Sequence, residues 1–425
     1  MTEIKIPYAR TYMTTQIDDR NLLGIFESHV AESAIDPTAE VEHALDNPIG
    51  SLPLEELARG KKDVLIIASD HTRPVPSKIL MPAMLKRLRK YNPEIKVTIL
   101  IATGCHRETS REELVEKFGE TIVENESILV HDARDEKMYH HLGKLPSGGE
   151  LIVNRLAIET DLLISEGFIE PHFFAGFSGG RKSVLPGVAA RETVLANHCS
   201  EFIQSPFART GNLEKNPIHE DMIFAAKKAN LAFILNVVIN GEKKIVRAFA
   251  GDVEKAHLAG CDFLRSCCQI KVPEADIVIT SNGGYPLDQN IYQSVKGLTA
   301  GEAVAKENGV IIICTACNDG HGGEDFYKTL SQINSPKELL AKIADVPRNK
   351  TLPDQWQYQI FARILDKFEV IFVSNDCPAE IFNNMHLTAV KTLEEAIELA
   401  YNKMGRSAKI AVIPDGVSVI AQKIN

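Results

Sequence analysis

The sequence predicts an α/β protein of two domains, each built on a largely parallel sheet flanked by helices. Three observations lead there. Short apolar, β-branched runs recur along the chain with little alternation, as strands buried on both faces do. Each run ends in a polar or glycine-rich cluster, and a helix-like amphipathic stretch follows it. The chain has 425 residues, more than one compact core usually holds.

The strand candidates, in order, are Val64–Ser69, Val97–Thr103, Ser127–Val130, Leu162–Ser165 and Leu231–Ile239, then Ile277–Thr280, Val310–Ile313, Val370–Val373 and Ile410–Ile413. Met81–Leu88 and Leu393–Ala400 have helical periodicity, and Ser110-Arg-Glu-Glu113 reads as a capping box that opens another helix. A boundary is expected near Lys271-Val-Pro-Glu-Ala275, where a proline interrupts a cysteine-rich helical pattern before a fresh strand. The predicted division is 1–270 for the N-terminal domain and 271–405 for the C-terminal one, with 406–425 returning to the first.

Composition removes other classes. Hydrophobic residues make up 44% and charged residues 24%, as in ordinary globular chains. Lys plus Arg total 47 against 57 Asp plus Glu, a net charge of −10, which argues against nucleic acid or an acidic membrane as partner. No stretch approaches the roughly 20 apolar residues of a membrane span. The polar start, Met1-Thr2-Glu3-Ile4-Lys5, lacks the apolar core of an export signal, so the expected location is the cytoplasm. The eight cysteines are scattered. Only Cys314-Thr-Ala-Cys317 has metal or redox spacing; with no second such pair, reduced structural thiols are the expectation.

In open parallel sheets, function gathers where strands end and helices begin. Those positions here hold Asp70-His71-Thr72-Arg73-Pro74, Gly104-Cys105-His106-Arg107, Glu170-Pro171-His172 running on to Gly176–Ser183, Asn282-Gly-Gly-Tyr-Pro286 and Asp319-Gly-His-Gly-Gly-Glu324. Asp70 with the prolines also fits a plain turn in which the aspartate caps the next helix, but Arg73 adds a permanently charged fork suited to a carboxylate or phosphate. His106 and His172 each also fit a satisfied surface histidine, but at two strand ends of one sheet they are a better candidate general acid/base pair than either alone. Gly176–Ser183 departs from a P-loop: Arg181 stands where the second glycine must be, which disfavours nucleotide hydrolysis, although exposed N–H groups still suit a phosphate and Lys182 adds an amine. No GxGxxG follows a strand, so a nicotinamide Rossmann site is disfavoured.

His198 is a lone candidate metal ligand, with Cys199 as a nearby rival. Tyr292 and Lys296 lie one helical turn apart with Gln293 adjoining, an arrangement that also suits a plain exposed face. The sole tryptophan, Trp356, sits in a polar stretch, where such a residue more often covers a cleft or interface than fills a core.

Four long strings carry a family resemblance: Ser69–Pro76, His172–Gly187, Asn282–Gln293 and Asp319–Glu324. Through them the chain resembles the nickel-dependent lactate racemase family, from near residue 15 to its end. The resemblance implies a two-domain α/β fold with the active site in the inter-domain cleft. It also implies a nickel pincer nucleotide, a pyridinium mononucleotide whose thiocarbonyl arms and ring carbon hold nickel, made by dedicated cofactor-synthesis proteins. Position by position, the tether falls on Lys182, the nickel ligand on His198 and the catalytic pair on His106 and His172. Substrate contacts fall on Arg73, Tyr292, Gln293, Lys296 and Trp356, and the cofactor-binding loop on Asp70, His71, Thr72 and Arg73. The implied reaction is interconversion of D- and L-lactate by hydride transfer to and from the tethered cofactor. Two readings compete: racemisation or epimerisation of another 2-hydroxy acid, and a non-catalytic two-domain anion-binding protein. Arg73, Lys296 and the glycine loop serve the second equally well, but two histidines and a lysine beside a metal-capable histidine are surplus to it.

Overall fold

The computed structural model describes residues 1–29 and 32–424. The chain forms two compact units. The first comprises Val30–His198 and Ser205–Ser266; the second comprises Met1–His29, Cys199–Gln204 and Cys267–Asn425. No helix among the described residues is long and apolar enough to cross a membrane.

In the first unit the apolar runs form a six-stranded sheet. Its spatial order is Ile245–Gly251, Leu231–Ile239, Leu163–Phe168, Asp63–Ser69, Lys96–Ala102, Ser127–Val130. Every neighbouring pair is parallel except Leu231–Ile239 with Ile245–Gly251. Ile66, Ile99, Ile164 and Phe233 are buried in its core. Ser127–Val130 departs from the prediction of a strand buried on both faces: as the outermost strand it alternates exposed and half-buried residues. The helix Arg111–Phe118 opens with the reciprocal Ser110–Glu113 capping box. From Asp63–Ser69 the chain extends the sheet in one direction through Lys96–Ala102 and Ser127–Val130. It extends the other way through Leu163–Phe168 and Leu231–Ile239. The strand order therefore reverses beside Asp63–Ser69, the place in such sheets where ligands bind at the carboxyl ends of the strands.

The second unit holds a six-stranded sheet, all parallel, in the order Thr388–Val390, Glu369–Val373, Ala305–Cys314, Ala275–Ser281, Ile410–Ile413, Leu22–Ile25. A hairpin, Thr2–Tyr8 with Thr11–Ile17, packs Ile4, Ile6 and Ile17 into the same core as Ile279, Ile312 and Val412. Two expectations about the domains are corrected here. Residues 406–425 do not return to the first unit, because Ile410–Ile413 inserts between Ala275–Ser281 and Leu22–Ile25, and Ile420–Ile424 pairs with Gln269–Pro273. The first 29 residues also join the second unit, through that same edge strand and hairpin. Cys314 and Cys317 are buried, and burial pushes the Cys317 thiol up to about 12, the inert state of a structural cysteine.

Candidate functional site

Three loops of the first unit stand at the carboxyl ends of its strands. The loop after Asp63–Ser69 starts with Asp70, whose carboxylate is buried. Asp70 does not cap the following helix. Its Oδ1 accepts from the Thr72 hydroxyl at 2.6 Å and the Thr72 N–H at 3.1 Å, and its Oδ2 meets His106 Nδ1 at 2.6 Å. Burial pushes this carboxyl up, but the bonds from His106 and Thr72 and the charge of Arg73 outweigh it and hold the group below its usual range. A carboxylate only accepts, so His106 carries its proton on Nδ1 and presents a lone pair at Nε2. His71 lies beside Thr109, with Nδ1 3.0 Å from the hydroxyl, and Arg73 is exposed. Beneath the loop, the Lys117 ammonium donates to the Arg73 carbonyl at 3.3 Å, and burial pulls its pKa down. Glu166, on the adjoining strand, accepts from the Ser69 N–H and the Ser77 hydroxyl. Burial raises its pKa, against the pull of the Lys117 charge.

The loop after Leu163–Phe168 supplies the other reactive groups. Gly176 turns it at φ +78°, where a Cβ would lie 2.3 Å from the Asn212 carbonyl oxygen, so only glycine fits. Lys182 follows in a short helical turn, Gly180–Ser183. Its Nζ stands 5.9 Å from the centre of the buried Phe174 ring. Two imidazoles meet the same ring edge-on, His172 at 4.5 Å and His198 at 5.1 Å between centroids. Phe174 thus gathers the amine and both histidines around one aromatic surface.

His198 ends the helix Arg191–Asn197. Its Nδ1 lies 3.0 Å from the Val194 carbonyl oxygen, which only accepts, so the proton is on Nδ1 and the lone pair on Nε2. Burial and the Lys182 charge push its pKa down to about 3, so the ring stays neutral. His172 is held the other way round: the Ala175 N–H donates to its Nδ1 at 3.3 Å, which leaves an N–H at Nε2. His106 therefore presents an acceptor and His172 a donor. Among the described residues no group of three or more His, Cys, Asp and Glu side chains is arranged to hold a metal ion.

In the second unit the loop after Ala275–Ser281 leads into the helix Ile291–Val304. Asn290 caps it by accepting from the Gln293 N–H at 2.9 Å. The Ile291 and Tyr292 N–H groups, left without partners inside a helix, donate to the Gly320 and His321 carbonyls at 3.1 Å each. That bonding accounts for the Asp319–Glu324 string: it braces the first turn of the helix. Tyr292, Gln293 and Lys296 are all half-buried on this helix. The Tyr292 hydroxyl donates to Asp354 Oδ1 at 2.8 Å. Trp356 is half-buried in the first turn of the helix Gln355–Lys367.

Residues 8–211 match the family model of the lactate racemase N-terminal domain, and residues 270–421 that of the lactate racemase C-terminal domain. The lactate racemase of Lactiplantibacillus plantarum is 54% identical over 424 residues, 99% of this chain and 100% of the relative. The chain belongs to the lactate racemase family. The lactate racemase of Thermoanaerobacterium thermosaccharolyticum is 55% identical over the full length of both chains. The solved structure of that species' lactate racemase apoprotein superposes with a TM-score of 0.96, covering 99% of this chain and 100% of the other. A Thermotoga maritima protein, 19% identical, shares the fold alone, with a TM-score of 0.63 over 93% of this chain and 100% of the other.

Within this family framework the structure brings the predicted residues together in three groups: Asp70 with Thr72 and His106; Lys182 with His172 and His198; and Tyr292 with Gln293, Lys296 and Trp356. Four further residues escaped the reading of the sequence. Phe174 lay in plain view between His172 and Gly176, but an isolated Phe reads as core. Lys117, Glu166 and Asp354 take their significance from chain neighbours far away in sequence, which no local spacing reveals.

Proposed function

We propose that this protein racemises lactate with a nickel pincer nucleotide attached through Lys182. The observation that carries the reading is the gathering of Lys182 and His198 on Phe174, with the His198 ring oriented by the Val194 carbonyl at its Nδ1. The residues fit the group. A primary amine is the nucleophile that thioamide formation needs, and a single neutral imidazole suits a nickel ion whose other ligands arrive with the cofactor. The exposed Arg73 of the Asp70–Arg73 loop offers a cation for the nucleotide phosphate. The name apoprotein given to the Thermoanaerobacterium structure points the same way for that relative. When bound, the group supplies a place for the substrate hydride to be held and given back.

The protein's own residues do the rest. Arg73 and Lys296 bind the carboxylate of a 2-hydroxy acid, with Gln293 and Tyr292 beside it. One histidine takes the hydroxyl proton as the carbon loses hydride, which leaves a planar keto acid; the other histidine returns a proton after the keto acid has presented its opposite face. Hydride loss avoids the carbanion beside a carboxylate that simple deprotonation would create. Two histidines serve because the hydroxyl points in opposite directions in the two enantiomers. In the resting state Asp70 sets His106 to accept, and Ala175 sets His172 to donate.

The test is polarimetric. Protein made alongside the cofactor-synthesis proteins is incubated with enantiopure lactate and with a panel of other 2-hydroxy acids. Loss of optical rotation fastest with lactate is the expected result. No loss with lactate from nickel-loaded protein overturns the assignment, and faster loss with another acid overturns the choice of substrate.

A further inference from the structure

Asp354 stands at the start of the helix Gln355–Lys367, where an aspartate usually accepts a hydrogen bond from the helix's own free N–H groups, worth about 1 kcal/mol. It makes no such bond. Its backbone is instead in the left-handed region, φ +60° and ψ +3°, a conformation that costs a non-glycine residue energy and is retained where the surroundings impose it. The carboxylate is used elsewhere: it accepts from the Tyr292 hydroxyl at 2.8 Å. Trp356 follows Asp354 by two positions, in the first turn of the same helix. The bond from Tyr292 to Asp354 therefore ties the tyrosine to the start of the helix that carries Trp356.

Tyr292 is also fixed at its backbone. Its N–H donates to the His321 carbonyl at 3.1 Å, its carbonyl accepts from the Gln357 side chain, and its ring meets the buried Phe326 ring edge-on at 5.3 Å. The hydroxyl is thus the last freedom the side chain has, and Asp354 removes it. We infer that Asp354 is a positioning residue of the substrate pocket: it holds the Tyr292 hydroxyl, and with it the helix start that carries Trp356, in one arrangement against the bound 2-hydroxy acid.

Two consequences follow. The Tyr292 proton is committed to Asp354, so toward a ligand the phenol oxygen offers a lone pair and not an acid. Trp356 stands in the helix turn that this bond anchors, so a small acid meets a wall of fixed shape. The inference rests on the reading that Tyr292 and Trp356 touch the substrate.

The experiment exploits the single tryptophan, whose emission reports this one position in the cofactor-free protein. Asp354→Gly removes the acceptor while a glycine takes φ +60° without strain. Asp354→Asn keeps both an acceptor oxygen and a residue at ease in that conformation. In the cofactor-free chain, Asp354→Gly should shift the Trp356 emission maximum and raise its quenching by acrylamide. Tyr292→Phe should do the same, and the double variant no more than either. In the loaded enzyme, Asp354→Gly should raise KM for lactate about tenfold, the loss of one hydrogen bond to a charged group, with covalent cofactor and nickel content unchanged. Asp354→Asn should recover most of the lost affinity. Wild-type emission or wild-type KM in Asp354→Gly overturns the inference. So does loss of the covalent adduct in that variant, or an Asp354→Asn enzyme as impaired as Asp354→Gly. A loaded wild-type protein inactive on lactate would instead overturn the proposed function, while the emission series would still decide whether the three side chains are linked.

Discussion

In the first unit, loops at the carboxyl ends of parallel strands bring Asp70 to His106 and set Lys182, His172 and His198 around Phe174. In the second unit the equivalent loop feeds a helix whose Tyr292 is tied to Asp354 and whose first turn is braced by the Asp319–Glu324 string. Both units contain a sheet of six strands, parallel throughout or nearly so, yet one collects imidazoles beside a carboxylate and the Lys182 amine, and the other a phenol and an amide beside the Lys296 amine. The shared architecture provides a place, and the loops decide what stands in it. Under the proposed function the first unit carries proton transfer and cofactor attachment, and the second carries substrate placement.

That division is open to direct attack by mutation. The largest effects belong to the first unit. His106→Asn and His172→Asn should each lower kcat about a thousandfold, within the range for loss of a general acid/base, while intact mass still shows the adduct. Near-normal racemisation in both single variants would refute the pair. Next comes a substitution in each unit, Arg73→Ala and Lys296→Ala. Each should raise KM for lactate between about tenfold and a hundredfold, as loss of a charge-assisted contact does. An unchanged KM in the Lys296 variant would remove the second unit from substrate binding. Asp70→Asn should be milder, about tenfold in kcat, because an amide oxygen still accepts from His106 Nδ1 but no longer stabilises the imidazolium.

The smallest effect is on stability, and it also separates the units. His131, His198, His219 and His257 all lie in the first unit, and in each case burial is the main force that depresses the pKa, to about 3 for His198 and His219. These rings are neutral when folded and take up a proton in the unfolded chain below its ordinary value near 6.5. Unfolding then binds protons, so stability falls as pH drops from about 6.5 toward 3, by about 1.4 kcal/mol per pH unit for each such group. Hydrogen exchange at pH 5 against pH 7 should show the first unit losing protection first. Equal loss in both units would contradict this.

Much of this was legible in the sequence, for a physical reason. Strands buried on both faces must be continuous apolar runs, so Val64–Ser69 or Ile410–Ile413 announce themselves, and strand-end loops are then found by position alone. Ser110–Glu113 declared its helix because a capping box needs those residue types at that spacing. What stayed hidden depends on partners distant in the chain. Leu22–Ile25 is four residues long, and nothing local says that it pairs with Ile410–Ile413, which is why both termini were misplaced. Asp70 has a place in the cofactor-binding loop by resemblance and locally also fits a turn or cap, but its bond to His106, 36 positions away, leaves no local sign. Asp354 was passed over because Tyr292 lies 62 positions away. Lys182 and His198 were found singly, but their shared neighbour Phe174 was not.

The central claim is that Lys182 and His198 serve one bound group. Peptide mapping of protein made beside the cofactor-synthesis proteins, with nickel measured on the same sample, tests it most directly. The account predicts the cofactor mass on the peptide containing Lys182, its disappearance in Lys182→Ala, and an adduct retained but depleted of nickel in His198→Ala, all three proteins remaining folded. An adduct on another residue, or full nickel in His198→Ala, would contradict it.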